Sequence, residues 1–135
     1  MYQSLIKKAL VLGVIILIVN ALAHSFYWYT AIFGFDKFMH TLGGIFIVLI
    51  VASVYVKELR GIKSWQLFVS LTLSAFVVGL IWEYYEYIVQ AFIKAVHLAD
   101  VPDSIGDLIF DCIGGALGAL FVISTKKSYN KKNER

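Results

Sequence analysis

Four long apolar runs, separated by short polar connections, dominate the pattern of hydrophobic and polar positions. They cover about residues 5–23, 37–56, 64–93 and 103–123, and a basic tail follows over 124–135. A helix needs about 20 apolar residues to cross the hydrocarbon core of a bilayer, and each run provides them. The pattern predicts an all-α polytopic membrane protein, with four transmembrane helices packed as one compact domain over residues 1–135.

The fourth run carries its polar and small residues at the spacing of one helix face. At about 100° per residue, Asp103, Asp107 and Asp111 fall on one stripe with Gly114 and Gly118, and aliphatic side chains occupy most of the remaining surface. An ionisable side chain inside a membrane is costly unless it is paired, metal-bound or hydrated. The aspartates therefore predict partners on other helices.

Two other runs repeat this layout at a matching depth. Asp36 and His40 lie four residues apart at the start of the second run, and Gly79, Glu83 and Glu86 share a face near the end of the third. Counted from these ends, the polar groups lie within about two helical turns, at ~5.4 Å per turn. Small residues let helices approach closely. We therefore expect acidic groups and one imidazole from three helices to meet in one layer.

Composition and charge agree with this class and set the expected topology. Of 135 residues, 60% are hydrophobic and 16% are charged, which excludes an ordinary soluble domain. Basic residues gather at both termini and, as Lys57, Arg60 and Lys63, in the second connection. The positive-inside rule then predicts cytoplasmic N- and C-termini and places the acidic layer at the outer leaflet. The net charge of +3 is thus a topology signal, and we expect no nucleic-acid partner.

The residue types in the acidic layer favour a divalent cation. Several carboxylates with one histidine and no facing arginine cannot all be ionised side by side, because like charges raise each other's pKa. Oxygen ligands with one imidazole suit Mg²⁺, Mn²⁺ or Ca²⁺, and Zn²⁺ or Fe²⁺ also accept such a set, so the metal stays open. The expected ligands are His40, Glu83, Glu86, Asp107 and Asp111, with Asp36 and Asp103 supporting them from outside and Lys37 and Lys94 contacting a phosphate.

Three functions, and also a purely structural role, are compatible with such a layer. A metal-dependent hydrolase of a lipid phosphoester would use His40, Glu83 and Asp107 as catalytic groups. A non-enzymatic protein would bind a membrane lipid, a lipid-linked molecule or a lipopeptide. A proton- or cation-coupled transport component would need a polar path through the bundle, and a purely structural role would need only hydrogen bonds between helices. Both a monomer and a homodimer fit the sequence.

The order and spacing of the motifs resemble a known kind of small membrane protein. The motifs are Asp36-Lys37-x-x-His40, then Gly79-x-x-x-Glu83-x-x-Glu86, then Asp107-x-x-x-Asp111-x-x-Gly114-x-x-x-Gly118. Over about residues 35–122, this order resembles the VanZ-like and YjdF-like families of bacterial integral membrane proteins. The resemblance implies a multi-pass protein of the bacterial plasma membrane with a role in the cell envelope; the founding VanZ member is associated with low-level resistance to the glycopeptide teicoplanin.

The chain departs from the VanZ-like pattern in a consistent direction. Glu86 stands where that pattern more often has Gln, Asp111 stands where it more often has Asn, and an arginine before the fourth helix is missing. These departures add two acids and remove one base. They strengthen the prediction of a bound cation and lessen the expectation of an antibiotic-resistance role.

Overall fold

The computed structural model describes residues 2–55, 61–93 and 101–133, and almost all of them are helical. The elements are α1 (Tyr2–Ser25), α2 (Trp28–Ala31), α3 (Phe35–Val54), α4 (Ser64–Ile93) and α5 (Val101–Asn133). No strand occurs in these ranges. Four of the helices are long and apolar enough to cross a membrane. The predicted all-α fold with four spanning helices is therefore confirmed.

The helix bounds differ from the predicted ones at several ends. The predicted bounds of α4 agree with the structure, whereas α5 continues through most of the predicted basic tail. Lysine side chains near a helix C-terminus interact favourably with the helix dipole, which is consistent with this continuation. The sequence also did not predict α2. This single turn lies between Tyr27 and Gly34, both with left-handed backbone, at φ 57° and 75°, and glycine adopts that conformation at little cost.

The apolar core lies at one end of the bundle, where α1 and α4 begin and α3 and α5 end. Its buried members include Leu5, Leu49, Leu67, Leu71 and Val122. The buried ionisable side chains, His40, Asp107 and Asp111, lie toward the opposite end. We call that opposite region, defined by residues 36–40 of α3, 83–86 of α4 and 107–111 of α5, the acidic end. The bundle is thus divided along its length into an apolar half and a polar half.

Glycines bring α3 and α5 into contact through their backbones. A Cβ atom added to Gly44 would contact the backbone carbonyl oxygen of Asp111 and would lie 2.9 Å from the nitrogen of Gly115. A Cβ atom added to Gly114 would contact the carbonyl oxygen of Thr41. Only a glycine fits at such a distance. The backbones of α3 and α5 are therefore in direct contact immediately beside Asp111.

Candidate functional site

The imidazole of His40 lies among carboxylates from three helices. Its Nδ1 atom is 3.3 Å from Oδ2 of Asp111 on α5. Its Nε2 atom is 3.8 Å from Oε1 of Glu83 on α4 and 3.9 Å from Oδ1 of Asp36, one turn earlier on α3. The predicted meeting of acidic groups around one histidine is therefore present in the structure.

Asp36, His40 and Asp107 form the group with the geometry closest to a metal site. Each offers one ligand atom, and these three atoms lie within 4.8 Å of one another. Atoms that bind one ion at ~2.1 Å lie about 3.0–3.4 Å apart in octahedral or tetrahedral geometry, so small side-chain rotations would bring the three onto one cation. Asp36, which we expected to support the ligands from outside, thus offers a ligand atom itself.

Gly79 on α4 leaves the space that the Asp111 carboxylate occupies. A Cβ atom added to Gly79 would contact Oδ2 of Asp111, so the carboxylate lies directly against the backbone of α4. The same oxygen faces Nδ1 of His40. Asp111 is therefore held between α3 and α4, with a well-defined position relative to the imidazole.

Lys37 lies at the same carboxylate group as the possible ligands. Its Nζ atom is 3.6 Å from Oδ1 of Asp107. Its Cε atom passes close to Gly106, where an added Cβ would lie only 3.2 Å away. The structure thus places the ammonium of Lys37 at Asp107, and its expected contact with a phosphate stays a prediction. Lys94, the second lysine expected at a phosphate, lies outside the described residues, as does the side chain of Asp103.

Glu86 is directed along its own helix. The indole Nε1 of Trp82 donates a hydrogen bond of 2.9 Å to Oε1 of Glu86. Among the described residues, the group with metal-ligand spacing includes neither Glu86 nor the expected ligands Glu83 and Asp111, although Glu83 and Asp111 lie beside His40. The structure therefore brings together four of the five expected ligands around His40, counting His40 itself, and pairs the fifth with a tryptophan.

Exposure decreases from the mouth of the site to its base. The side chain of Asp36 is 40% exposed, whereas that of Asp111 is 8% exposed. The Oε1 atom of Glu83 is buried and has no hydrogen-bond partner. A buried polar atom without a partner is costly, and a cation or a water molecule bound beside it would remove that cost. The donor set of one imidazole and several carboxylates, with this atom, fits a divalent cation.

A family model described as "Predicted membrane protein (DUF2238)" matches residues 3–128 of the chain. The chain belongs to the DUF2238 family. The match covers every residue of the site described above. No curated protein and no solved structure matches the chain. The family match and the four helices long enough to cross a membrane show that this DUF2238 protein is a multi-pass membrane protein. The match does not specifically support the predicted VanZ-like or YjdF-like family.

One polar contact of the DUF2238 protein near the acidic end was not predicted. The hydroxyl of Tyr29 in α2 donates a hydrogen bond of 2.6 Å to Oδ1 of Asn20 in α1, and its ring packs edge-on against Phe35 at 5.1 Å between centroids. Burial, and then the charges of Asp36 and Glu86, raise the pKa of Tyr29 above its ordinary value. Tyr29 is therefore a neutral group close to the acids. The sequence feature that could have indicated this contact is Asn20, a polar residue that interrupts the first apolar run.

An apolar groove lies on the seam between α4 and α5 of the DUF2238 protein. Its volume is about 560 Å³, and Phe68, Phe76, Leu108, Ile109 and Ala116 are among the residues that line it. The groove is open rather than enclosed, and its lining is apolar. None of the residues that line the groove belongs to the cluster around His40.

Proposed function

We propose that this DUF2238 protein binds a divalent cation through Asp36, His40 and Asp107, and that the loaded site receives the phosphate of an envelope lipid at the outer leaflet. The observation that supports the proposal most is the spacing of the three ligand atoms, within 4.8 Å of one another. α3 contributes two of these residues and α5 the third, so the packed α3–α5 seam preorganises them. The positive-inside argument supports placing this end of the bundle at the outer leaflet.

Asp111 has the role of orienting the imidazole. When Nδ1–H of His40 donates to the Asp111 carboxylate at 3.3 Å, the lone pair of Nε2 faces Asp36 and Glu83. Histidines that bind metals usually donate their second ring N–H to a carboxylate or a carbonyl in this way. A cation can bind Nε2 only after that nitrogen has lost its proton, and the contact between Nδ1–H and Asp111 would then hold the ring in the orientation that binding needs.

The remaining acids balance charge and move protons. A divalent cation at this position would offset the negative charge of the carboxylates and would polarise a phosphoryl oxygen. Glu83 has a buried carboxylate oxygen 3.8 Å from Nε2 of His40. It is the group we assign to accept a proton from a water molecule if the lipid phosphoester is hydrolysed, since a general base must lie within reach of the reacting water. His40 and Asp107 then act by holding the site.

A non-enzymatic lipid-binding or lipopeptide-binding function is the second candidate. The groove between α4 and α5, with its apolar lining and volume of about 560 Å³, favours it because an acyl chain needs such a surface. This function requires the same cluster only to hold a headgroup. Release of inorganic phosphate or of a phosphorylated headgroup from purified lipid would distinguish the enzyme from the binding protein. The leucine-rich core at the opposite end offers no support for a transport path among the described residues.

The experiment that tests the proposal is cation binding by the purified protein in a neutral maltoside detergent. We expect one Mn²⁺ per chain by elemental analysis, and a binding curve by electron paramagnetic resonance that weakens strongly in Asp36→Asn and Asp107→Asn. Glu86→Gln is the matched control, because it removes one acid at the same end without removing a ligand atom. Absence of stoichiometric metal in the wild type, or an equal loss in all three variants, would contradict the proposal.

A further inference from the structure

We propose that Lys37 is an internal counter-ion that occupies Asp107 until a divalent cation replaces it, and that the displaced ammonium then binds the phosphate of the ligand. This inference rests on the cation site proposed above and adds the order of binding to it. Cation binding comes first, and phosphate binding follows.

Two groups compete for the same carboxylate. Asp107 is one of the three residues with metal-ligand spacing, and its Oδ1 atom is also 3.6 Å from Nζ of Lys37. An ammonium and a divalent cation repel each other when both approach one carboxylate. Binding of the cation must therefore weaken or break the pair between Lys37 and Asp107.

The path of the lysine side chain allows it to move. Its stem lies across Gly106, where the absence of a side chain leaves room for Cε and Nζ. The side chain of Lys37 is 33% exposed, whereas that of Asp107 is 5% exposed. A lysine is a flexible chain with a strongly hydrated charge at its tip, so an ammonium displaced from Asp107 can turn toward the exposed side of the site.

The charges explain why phosphate binds second. Before a cation is present, carboxylates of Asp36, Glu83 and Asp111 surround His40, and the positive charge of Lys37 is shared with Asp107. A phosphate dianion would be repelled by this group. After cation binding, both the cation and the displaced ammonium attract the phosphate. The phosphate could come from a lipid headgroup or from solution, and the chemistry of recognition is the same.

The test measures Mn²⁺ affinity and phosphate affinity of the full chain in maltoside micelles. In Lys37→Gln we expect Mn²⁺ to bind about tenfold more tightly, because the variant removes the positive charge that competes with the cation for Asp107; a factor of ten corresponds to ~1.4 kcal/mol. With Mn²⁺ saturating, the same variant should bind inorganic phosphate about tenfold more weakly. Phosphatidic acid in the same micelles forms a second arm, and tighter binding of it than of inorganic phosphate identifies a lipid headgroup as the source.

Two further variants distinguish the effect of the position of Lys37 from the effect of positive charge in general. In Gly106→Ala the new Cβ would shift the end of the Lys37 side chain by a few tenths of an ångström while its charge is retained, so Mn²⁺ affinity should rise less than in Lys37→Gln and phosphate binding should persist. Lys127→Gln removes an exposed lysine from the distant half of α5 and should change neither affinity.

The outcomes distinguish this inference from the proposed function. If the wild type binds Mn²⁺ and Lys37→Gln binds it equally or more weakly, the counter-ion role is overturned and the cation site stands. If Lys37→Gln gains Mn²⁺ affinity but retains its phosphate affinity, the second role of the lysine is overturned. If neither protein binds Mn²⁺, both the inference and the proposed function fail.

Discussion

Substitution of Gly44 by alanine should separate α3 from α5 and disturb the His40 site together with the fold. The added Cβ would contact the backbone carbonyl oxygen of Asp111 and lie 2.9 Å from the nitrogen of Gly115. Neither atom can rotate away, because both belong to the backbone of α5. The helices must therefore move apart, and the contact of 3.3 Å between His40 and Asp111, already long for a hydrogen bond, should be lost.

The expected loss of stability follows from two opposing effects. Alanine favours a helix interior by ~1 kcal/mol over glycine. Inserting a methyl group into a packed interface typically costs 1–3 kcal/mol, and a rigid backbone neighbour moves the cost toward or beyond about 3 kcal/mol. The net destabilisation of Gly44→Ala should be about 2 kcal/mol.

The adjacent glycine provides a matched control. A Cβ atom added to Gly43 would meet nothing within 4 Å, so Gly43→Ala should keep the propensity gain of up to ~1 kcal/mol without a clash. Reversible unfolding in mixed detergent, followed by circular dichroism, measures both variants. Equal stability of Gly44→Ala and Gly43→Ala would refute the close α3–α5 packing on which the site depends.

Three further predictions address other contacts. Gly79→Ala should push the Asp111 carboxylate away from His40 and weaken Mn²⁺ binding about 10–100-fold, as for other residues that orient ligands, with unchanged helix content by circular dichroism. Because the pKa of Tyr29 is raised above 10.0, the stability that Tyr29 contributes should be complete below pH 10.0 and should decline as the pH rises through the raised value. In Tyr29→Phe, the tyrosinate absorbance should lack one component that ionises above pH 10.0. Lys126→Met should lower unfolding stability by about 1 kcal/mol, through loss of the 2.8 Å hydrogen bond to the carbonyl of Ile62.

The helices and the layer of acids could be predicted because both depend on fixed distances along a chain. A helix advances by a constant rise per residue, so counting from the ends of three apolar runs placed His40, Glu83 and Asp107 at one depth, with Asp111 one turn deeper. The small residues Gly114 and Gly118 on the fourth run also predicted which face of that helix packs against another helix, and this face contacts α3. These predictions needed only the helical period and the thickness of a membrane.

The details of the cluster depend on side-chain rotamers, which the sequence pattern does not determine. Glu86 has the spacing of a ligand, but its rotamer takes it to Trp82 on the same helix. Asp36 was expected outside the ligands, but it lies one turn from His40, and one of its carboxylate oxygens has the spacing of a ligand atom. The pairing of Lys37 with Asp107 needed the position of Gly106 on a neighbouring helix, which no single run reveals.

The most direct test of the cation site asks which atoms bind Mn²⁺. Electron spin echo spectroscopy of the Mn²⁺-loaded protein should show coupling to one imidazole nitrogen, and that coupling should disappear in His40→Gln while it persists in His24→Gln, a variant of an exposed histidine. Bound Mn²⁺ without nitrogen coupling, or a coupling that survives in His40→Gln, would contradict a site built on His40.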